Sequence, residues 1–203
     1  METTLTVRRA GLADRDAVIE AFAAAALDEA VSAWVLEGYP AAEFQSNYTP
    51  ALIDKALAED EVWIAGADDQ IWTVSLWQTV TSLERFQAEA VETGKQAAAA
   101  PELRVLQRAA YVMELLAREH PREFPHSYLQ VIVTVPEYRG KGSGAAILAE
   151  RTKAASDAGL PAFLEASTER SARLYTRNGF VRTGVEHTLP EGGPTLRHMW
   201  FRG

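Results

Sequence analysis

Threonines alternate with Leu5 and Val7 at the start of the chain and predict a short strand. Asp14 or Asp16 then caps an alanine-rich helix running to about residue 27. Gly38, Tyr39 and Pro40 break this pattern, and residues 41–57 resume the spacing of an amphipathic helix. Residues 61–67 and 71–78 are rich in β-formers, each with tryptophan, and join across Asp68, Asp69 and Gln70 as an antiparallel hairpin. Residues 88–100 are rich in Ala, Glu and Gln. Leu103, Leu106, Tyr111, Leu115 and Leu116 continue at helical spacing, which predicts one long, broken helical segment up to residue 118.

Beyond Pro121 and Pro125, residues 128–135 are almost continuously apolar, as in a central strand covered on both faces, and Pro136 ends the run. A glycine-rich stretch leads into a predicted helix over 145–158, stopped by Gly159, and then a buried strand over 161–166. Residues 169–177 read as a short helix closed by Asn178-Gly179. Residues 180–188 and 195–201 form a last strand pair around Pro190-Glu191-Gly192-Gly193-Pro194. No repeat, low-complexity linker or composition shift divides the chain, so residues 1–203 are expected to form a single domain.

Composition narrows the function. Twenty Lys plus Arg against 28 Asp plus Glu give a net charge of −8, the wrong sign for holding a nucleic-acid backbone. The absence of cysteine removes thiolate metal sites and cysteine nucleophiles. No apolar run approaches the roughly 20 residues of a spanning helix. The opening Met-Glu-Thr-Thr-Leu-Thr lacks a basic flank and apolar stretch, so a cytoplasmic protein without a membrane partner is expected. His120, His126, His187 and His198 show no metal-binding spacing and read as surface or structural residues; no metal is expected. Trp34, Trp63, Trp72, Trp77 and Trp200 read mostly as core.

The strongest chemical signal is Arg139-Gly140-Lys141-Gly142-Ser143-Gly144-Ala145, between the apolar strand and the following helix. Glycines without Cβ atoms let backbone N–H groups converge near the positive end of the helix, which suits a phosphate or pyrophosphate. A Walker A loop is excluded because Val135 and Gly142 occupy positions that need Gly and Ser or Thr. A dinucleotide fingerprint fits formally as G-x-G-x-x-A, with Glu165 as ribose acid. Four residues separate its first glycine from the strand, however, and only 38 residues follow Glu165, too few for further βα units.

The remaining pattern, R-x-x-G-x-G/A preceded by a V-x-P-x-x-R-like approach, resembles the GNAT superfamily of acyl-CoA-dependent N-acyltransferases. Residues 128–145 resemble its pyrophosphate-binding strand-loop-helix. Residues 163–180 resemble its second motif, ending in Leu174-Tyr175-Thr176-Arg177-Asn178-Gly179-Phe180. The resemblance extends over the chain. Pro161-Ala162-Phe163-Leu164-Glu165-Ala166-Ser167 and the Leu189-Pro190-Glu191-Gly192 loop are similar to the puromycin N-acetyltransferase branch.

This resemblance implies a mixed α/β (α+β) fold with a mostly antiparallel central sheet, splayed at the cofactor strand and flanked by helices. It implies acetyl-CoA as co-substrate and a small-molecule primary amine as acceptor, in a monomer or homodimer. Ile132, Val133 and Thr134 would offer backbone groups to the pantetheine arm, and Arg139 through Ala145 would hold the pyrophosphate. Tyr175 would be the general acid for the departing thiolate, and Glu165 a candidate base, with a structural carboxylate as its other reading. Thr168 stands where many members have Asn, and Ser171 is the candidate substitute. The amine pocket would arise from the segment around Asp28, Glu29 and Trp34, the inserted helix and the last strand pair. Trp34, Tyr39 and Phe44 would line that pocket, or pack as core. A protein lysine or N-terminal acetyltransferase and a non-catalytic acyl-CoA-binding module are the alternatives.

Overall fold

The computed structural model describes residues 4–203; Met1, Glu2 and Thr3, on which the reading of the N-terminus partly drew, lie outside the described residues. Strands β1 (Thr6–Arg9), β2 (Glu61–Ala67), β3 (Gln70–Val80), β4 (His126–Thr134), β5 (Ala162–Ala166), β6 (Val181–Thr188) and β7 (Thr195–Phe201) form one sheet in the order β1-β2-β3-β4-β5-β7-β6. Every neighbouring pair is antiparallel except β4 with β5, so the expected mixed, mostly antiparallel architecture is observed.

Helices α1 (Arg15–Ala26), α7 (Ser143–Ala158) and α8 (Glu169–Arg177) fall where the sequence places them. Three differences have physical reasons. Helix α2 (Ala30–Val35) was not legible because its cap is Glu29, an uncommon N-cap residue, whose carboxylate accepts from the N–H groups of Val31 and Ser32 at 3.0 Å each. The stretch read as one helix over 41–57 is α3 (Ala41–Glu43), a π turn (Phe44–Tyr48) and α4 (Thr49–Glu59) in direct succession. The long helical segment is divided into α5 (Glu84–Ala99) and α6 (Arg104–Glu119) by a turn at Pro101, which cannot continue the helix.

Strand alternation sends the apolar side chains into separate layers. Helix α1 packs on one face over Val62, Ile64, Val74, Leu76 and Val133. Leu129, Leu148, Leu164, Ala166, Tyr175 and Phe180 cluster beneath α7 and α8. Tyr128, Phe163 and Trp200, the alternate strand positions, meet Phe86 of α5 and Leu116 of α6. Trp34, Trp72, Trp77 and Trp200 are buried as expected, whereas Trp63 is only half-buried.

A fourth cluster joins Trp34 of α2, Leu115 of α6, Leu189 in the last loop and Leu196 of β7. At its rim Arg108 is buried, with its guanidinium 4.4 Å over the Trp34 ring; it donates to Glu37 and Glu191 at 2.9 Å and to the Trp34 carbonyl. Three distant segments meet on this cation, and Arg104 pairs with the same two carboxylates at 3.3 and 2.7 Å. Arg108→Leu should therefore lower stability by roughly 1–2 kcal/mol in urea unfolding, since it takes the donor from the Trp34 carbonyl and the cation from the Trp34 ring, while the two exposed carboxylates keep Arg104. An unchanged unfolding midpoint would disprove this role.

Candidate active site

Strands β4 and β5 pair only over Ser127–Leu129 and Ala162–Leu164. Beyond that point β4 continues along β3 to Thr134 while β5 diverges, which opens a wedge in the middle of the sheet. Leu76 opposes Val131 and Trp77 opposes Leu129, so Gln130 is the extra residue of a β-bulge where the wedge begins. Ile132, Val133 and Thr134 all lie beyond the last β5 pairing, with only their β3 side occupied. The bulge was missed from sequence, although an exposed Gln inside an apolar strand was its visible signal.

At the open end stands the glycine-rich loop. Gly140 and Gly142 adopt φ of +78° and +87°, left-handed conformations that strain any residue with a Cβ, and a Cβ at either would meet nothing within 4 Å. Helix α7 has no side-chain cap, and its first helical bond runs from the Ala146 N–H to the Gly142 carbonyl. The N–H groups of Ser143, Gly144 and Ala145 therefore precede the helical ladder and form an anion-attracting end. These features fit a coenzyme A pyrophosphate, with Gly140, Gly142, Ser143, Gly144 and Ala145 contributing through the backbone.

Side chains of the loop behave less simply. The Ser143 hydroxyl is buried and bonds Thr73 at 2.7 Å, and Thr73 bonds Thr134 at 2.8 Å, so this hydroxyl chain ties the loop to β3 and β4. Lys141 holds its ammonium 4.9 Å from the Tyr138 ring and 5.2 Å from Trp72, two rings that stack on each other. Arg139 makes a bidentate pair with Asp28 at 2.6 and 2.7 Å, which holds the Asp28 carboxyl below the usual carboxylate range. Asp28, expected in the segment that builds the amine pocket, is thus paired with the cofactor loop in this structure.

Two further expectations change in the same way. The Glu29 carboxylate caps α2 and also accepts from Ser167 at 2.8 Å, so its oxygens have partners within the fold. Ser171 donates to the Thr168 carbonyl at 2.9 Å and accepts from the Thr168 N–H at 3.2 Å, closing a capping box on α8 rather than standing free. Trp34 is core, as the packing alternative expected.

Tyr175 and Glu165 flank the wedge from opposite faces. Tyr175 lies in the α7–α8 layer with Leu164 and Ala166. Glu165, between those two on β5, points into the layer of Tyr128 and Phe163 by strand alternation. Burial raises the Tyr175 phenol well above its ordinary value, and the Glu29 carboxylate adds to the shift, so the hydroxyl stays protonated. The Glu165 side chain is 7% exposed. Burial pushes its carboxyl up to about 7, and a hydrogen bond from Tyr128 holds the shift back.

The histidines were not expected here. His120 and His198 are buried beside Glu165, and His126 is buried against His120. Their wide sequence spacing concealed this convergence.

The family model described as "Acetyltransferase (GNAT) domain" matches residues 102–182, which contain β4, the loop, α7, β5 and α8. Over that stretch the chain matches the GNAT superfamily. Among solved GNAT structures, a "histone acetyltransferase HPA2 and related acetyltransferase" from Corynebacterium glutamicum is 25% identical, with 97% of this chain and 95% of that chain covered and a TM-score of 0.68. An arylalkylamine N-acetyltransferase 2 from Aedes aegypti is 16% identical, covering 97% and 98%, with a TM-score of 0.75. A Drosophila melanogaster polyamine N-acetyltransferase that forms N-acetylagmatine is 14% identical, covering 98% and 100%, with a TM-score of 0.70. The last two likenesses concern the GNAT fold alone. No helix among the described residues is long and apolar enough to cross a membrane.

Proposed function

We propose that this GNAT protein moves an acetyl group directly from acetyl-CoA to the primary amine of a small molecule, working as one domain over residues 1–203. The observation that carries this reading is the wedge between β4 and β5, which has an anion-attracting helix end at its mouth and a protonated phenol and a buried carboxylate on its two faces.

Direct transfer needs an amine lone pair, stabilisation of charge on the thioester oxygen, and a proton for the leaving thiolate. Arg139 through Ala145 hold the pyrophosphate, with Arg139 exchanging Asp28 for phosphate oxygens. The unpaired stretch Ile132, Val133 and Thr134 receives the pantetheine arm in the way a sheet receives an added strand. Glu165 takes a proton from the acceptor ammonium, directly or through one water, and Tyr175 delivers a proton to sulfur from the other face. Separation of acid and base by the sheet lets the amine approach from one side while the thiolate leaves on the other. The meeting of α2, α6 and the β6–β7 loop supports an acceptor site built by those segments. Small-amine chemistry in the polyamine and arylalkylamine neighbours adds support to this acceptor class. The puromycin-branch resemblance rests on the sequence alone, and the protein is expected to act in the cytoplasm.

The test is thiol release from acetyl-CoA against agmatine, an arylalkylamine, an aminonucleoside, a polyamine, an amino acid and a lysine peptide, with calorimetry of acetyl-CoA binding alongside. Turnover with a small amine and none with the peptide is expected. Turnover with the peptide alone would make the protein-directed alternative correct, and binding without any turnover would favour the binding module. Gly142→Val, which forces a β-branched residue to φ of +87°, should weaken acetyl-CoA binding at least about tenfold. Unchanged affinity would remove the loop from the cofactor site.

A further inference from the structure

Beside the carboxylate assigned as base lies a hydrogen-bonded pair of buried histidines whose proton positions follow from their partners. His126 Nδ1 is 2.7 Å from the Glu123 backbone carbonyl. A carbonyl oxygen only accepts, so His126 carries its proton on Nδ1. Burial lowers the pKa of this ring, which keeps it neutral and leaves Nε2 bare. That nitrogen lies 3.0 Å from His120 Nε2, so His120 must be the donor and must carry its own proton on Nε2. His120 is held neutral too, its pKa pushed down to about 3 by burial and by its histidine neighbours.

The remaining nitrogen, His120 Nδ1, is then a bare lone pair. It is buried, has no hydrogen-bond partner among the described residues and lies 4.0 Å from Glu165 Oε1. The ring is fixed in place by stacking on Phe86 at 4.1 Å and by edge contacts with Tyr128 and Phe163. The negative end of a neutral imidazole dipole therefore faces the carboxyl group. This disfavours the carboxylate and favours the protonated acid, which can turn its O–H toward Nδ1 directly or through one water.

Other groups face Glu165 from every side. Tyr128 of β4 donates a hydrogen bond and works in the opposite direction. His198 lies directly across the β5–β7 pairing and is kept neutral by burial, with His187 and Glu119 behind it. Glu89 of α5 acts on Tyr128 from a greater distance. Of these groups, His120 is the one whose charge distribution toward Glu165 is set by a second residue.

We propose that His120 is a positioning residue for Glu165: His126 locks it in the tautomer that turns a bare Nδ1 toward the carboxyl group and so makes Glu165 a stronger proton acceptor for the incoming ammonium. This rests on the assignment of Glu165 as base. No covalent step is added. The proton that leaves the amine comes to rest on a Glu165 oxygen, with the His120 lone pair beside it.

The test reads protons rather than turnover, so its failure is separable from failure of the base assignment. In the unaltered chain, nitrogen-15 spectra of the imidazoles should show His120 protonated on Nε2 and bare on Nδ1 near neutral pH; a protonated Nδ1 would overturn the proposal without any variant. In chain labelled with carbon-13 at the glutamate carboxyl, the Glu165 signal is identified by its loss in Glu165→Gln and titrated. His126→Phe releases the tautomer, and His120→Phe keeps the stacked ring without a lone pair. Each should lower the Glu165 midpoint by about one unit. His120→Asn, whose amide oxygen can take the place of Nδ1, should hold the midpoint nearer its original value. Identical midpoints in the unaltered chain and in either folded Phe variant would overturn the tuning role, whatever Glu165→Gln does to acetyl transfer.

Discussion

Tyr175→Phe should slow acetyl transfer by about 10²- to 10⁴-fold while leaving acetyl-CoA affinity within about twofold. The substitution removes one oxygen and keeps the ring, which packs with Phe180 at 6.1 Å and with Leu164, Ala166 and Ala172, so the α7–α8 layer survives it. The hydroxyl is expected to account for little of the fold's stability, since burial and the Glu29 carboxylate raise its pKa and it has no hydrogen-bond partner among the described residues. A residue of that kind is kept protonated at small structural benefit, which suits a proton donor. Pre-steady-state measurement of thiol release separates the chemical step from product release, and calorimetry gives the affinity. A rate within about threefold of the unaltered enzyme would remove Tyr175 from the acid role, and a parallel fall in affinity would make it a cofactor contact instead.

The fold was legible where local signals were strong. Runs of β-formers placed β2 and β3, near-continuous apolar runs placed β4 and β5, Asn178-Gly179 marked the end of α8, and the glycine-rich loop marked the start of α7. The 16-residue α5 and α6 were seen as one segment because alanine, glutamate and glutamine carry no boundary except Pro101. Side-chain destinations were less accessible. Asp28 and Arg139 are 111 residues apart and Ser143 is 70 from Thr73, so neither pairing has a local signature. The same limit hid the histidines: His120 ends α6, His126 begins β4 and His198 sits on β7, and only the sheet order brings them to Glu165. Polar residues in such a chain read as surface until tertiary structure encloses them.

Glu165→Gln should lower kcat/KM by about 10²- to 10³-fold and abolish its pH dependence near neutrality. In the unaltered enzyme the group must be ionised to accept a proton, and its folded pKa is raised to about 7, so kcat/KM should rise as pH increases through 7 and fall on the acid side. The amide cannot titrate, which makes the remaining rate flat across that window. Stability carries an independent signature of opposite sense. Between its ordinary value of 4.5 and about 7, Glu165 keeps a proton in the folded state that the unfolded chain releases, so its contribution is fully present below 4.5 and is lost as pH rises through 7. Glu165→Gln should consequently be more stable than the unaltered protein at pH 8 and nearly equal to it at pH 4, as read by urea unfolding. A structural carboxylate that fixes the end of β5 predicts the reverse: the amide variant would be destabilised at pH 8, and the acid limb of the rate profile would persist. Loss of the limb together with a gain in stability would mean that the ionised carboxylate is retained in a buried position at the expense of stability, a cost that catalysis explains and packing does not.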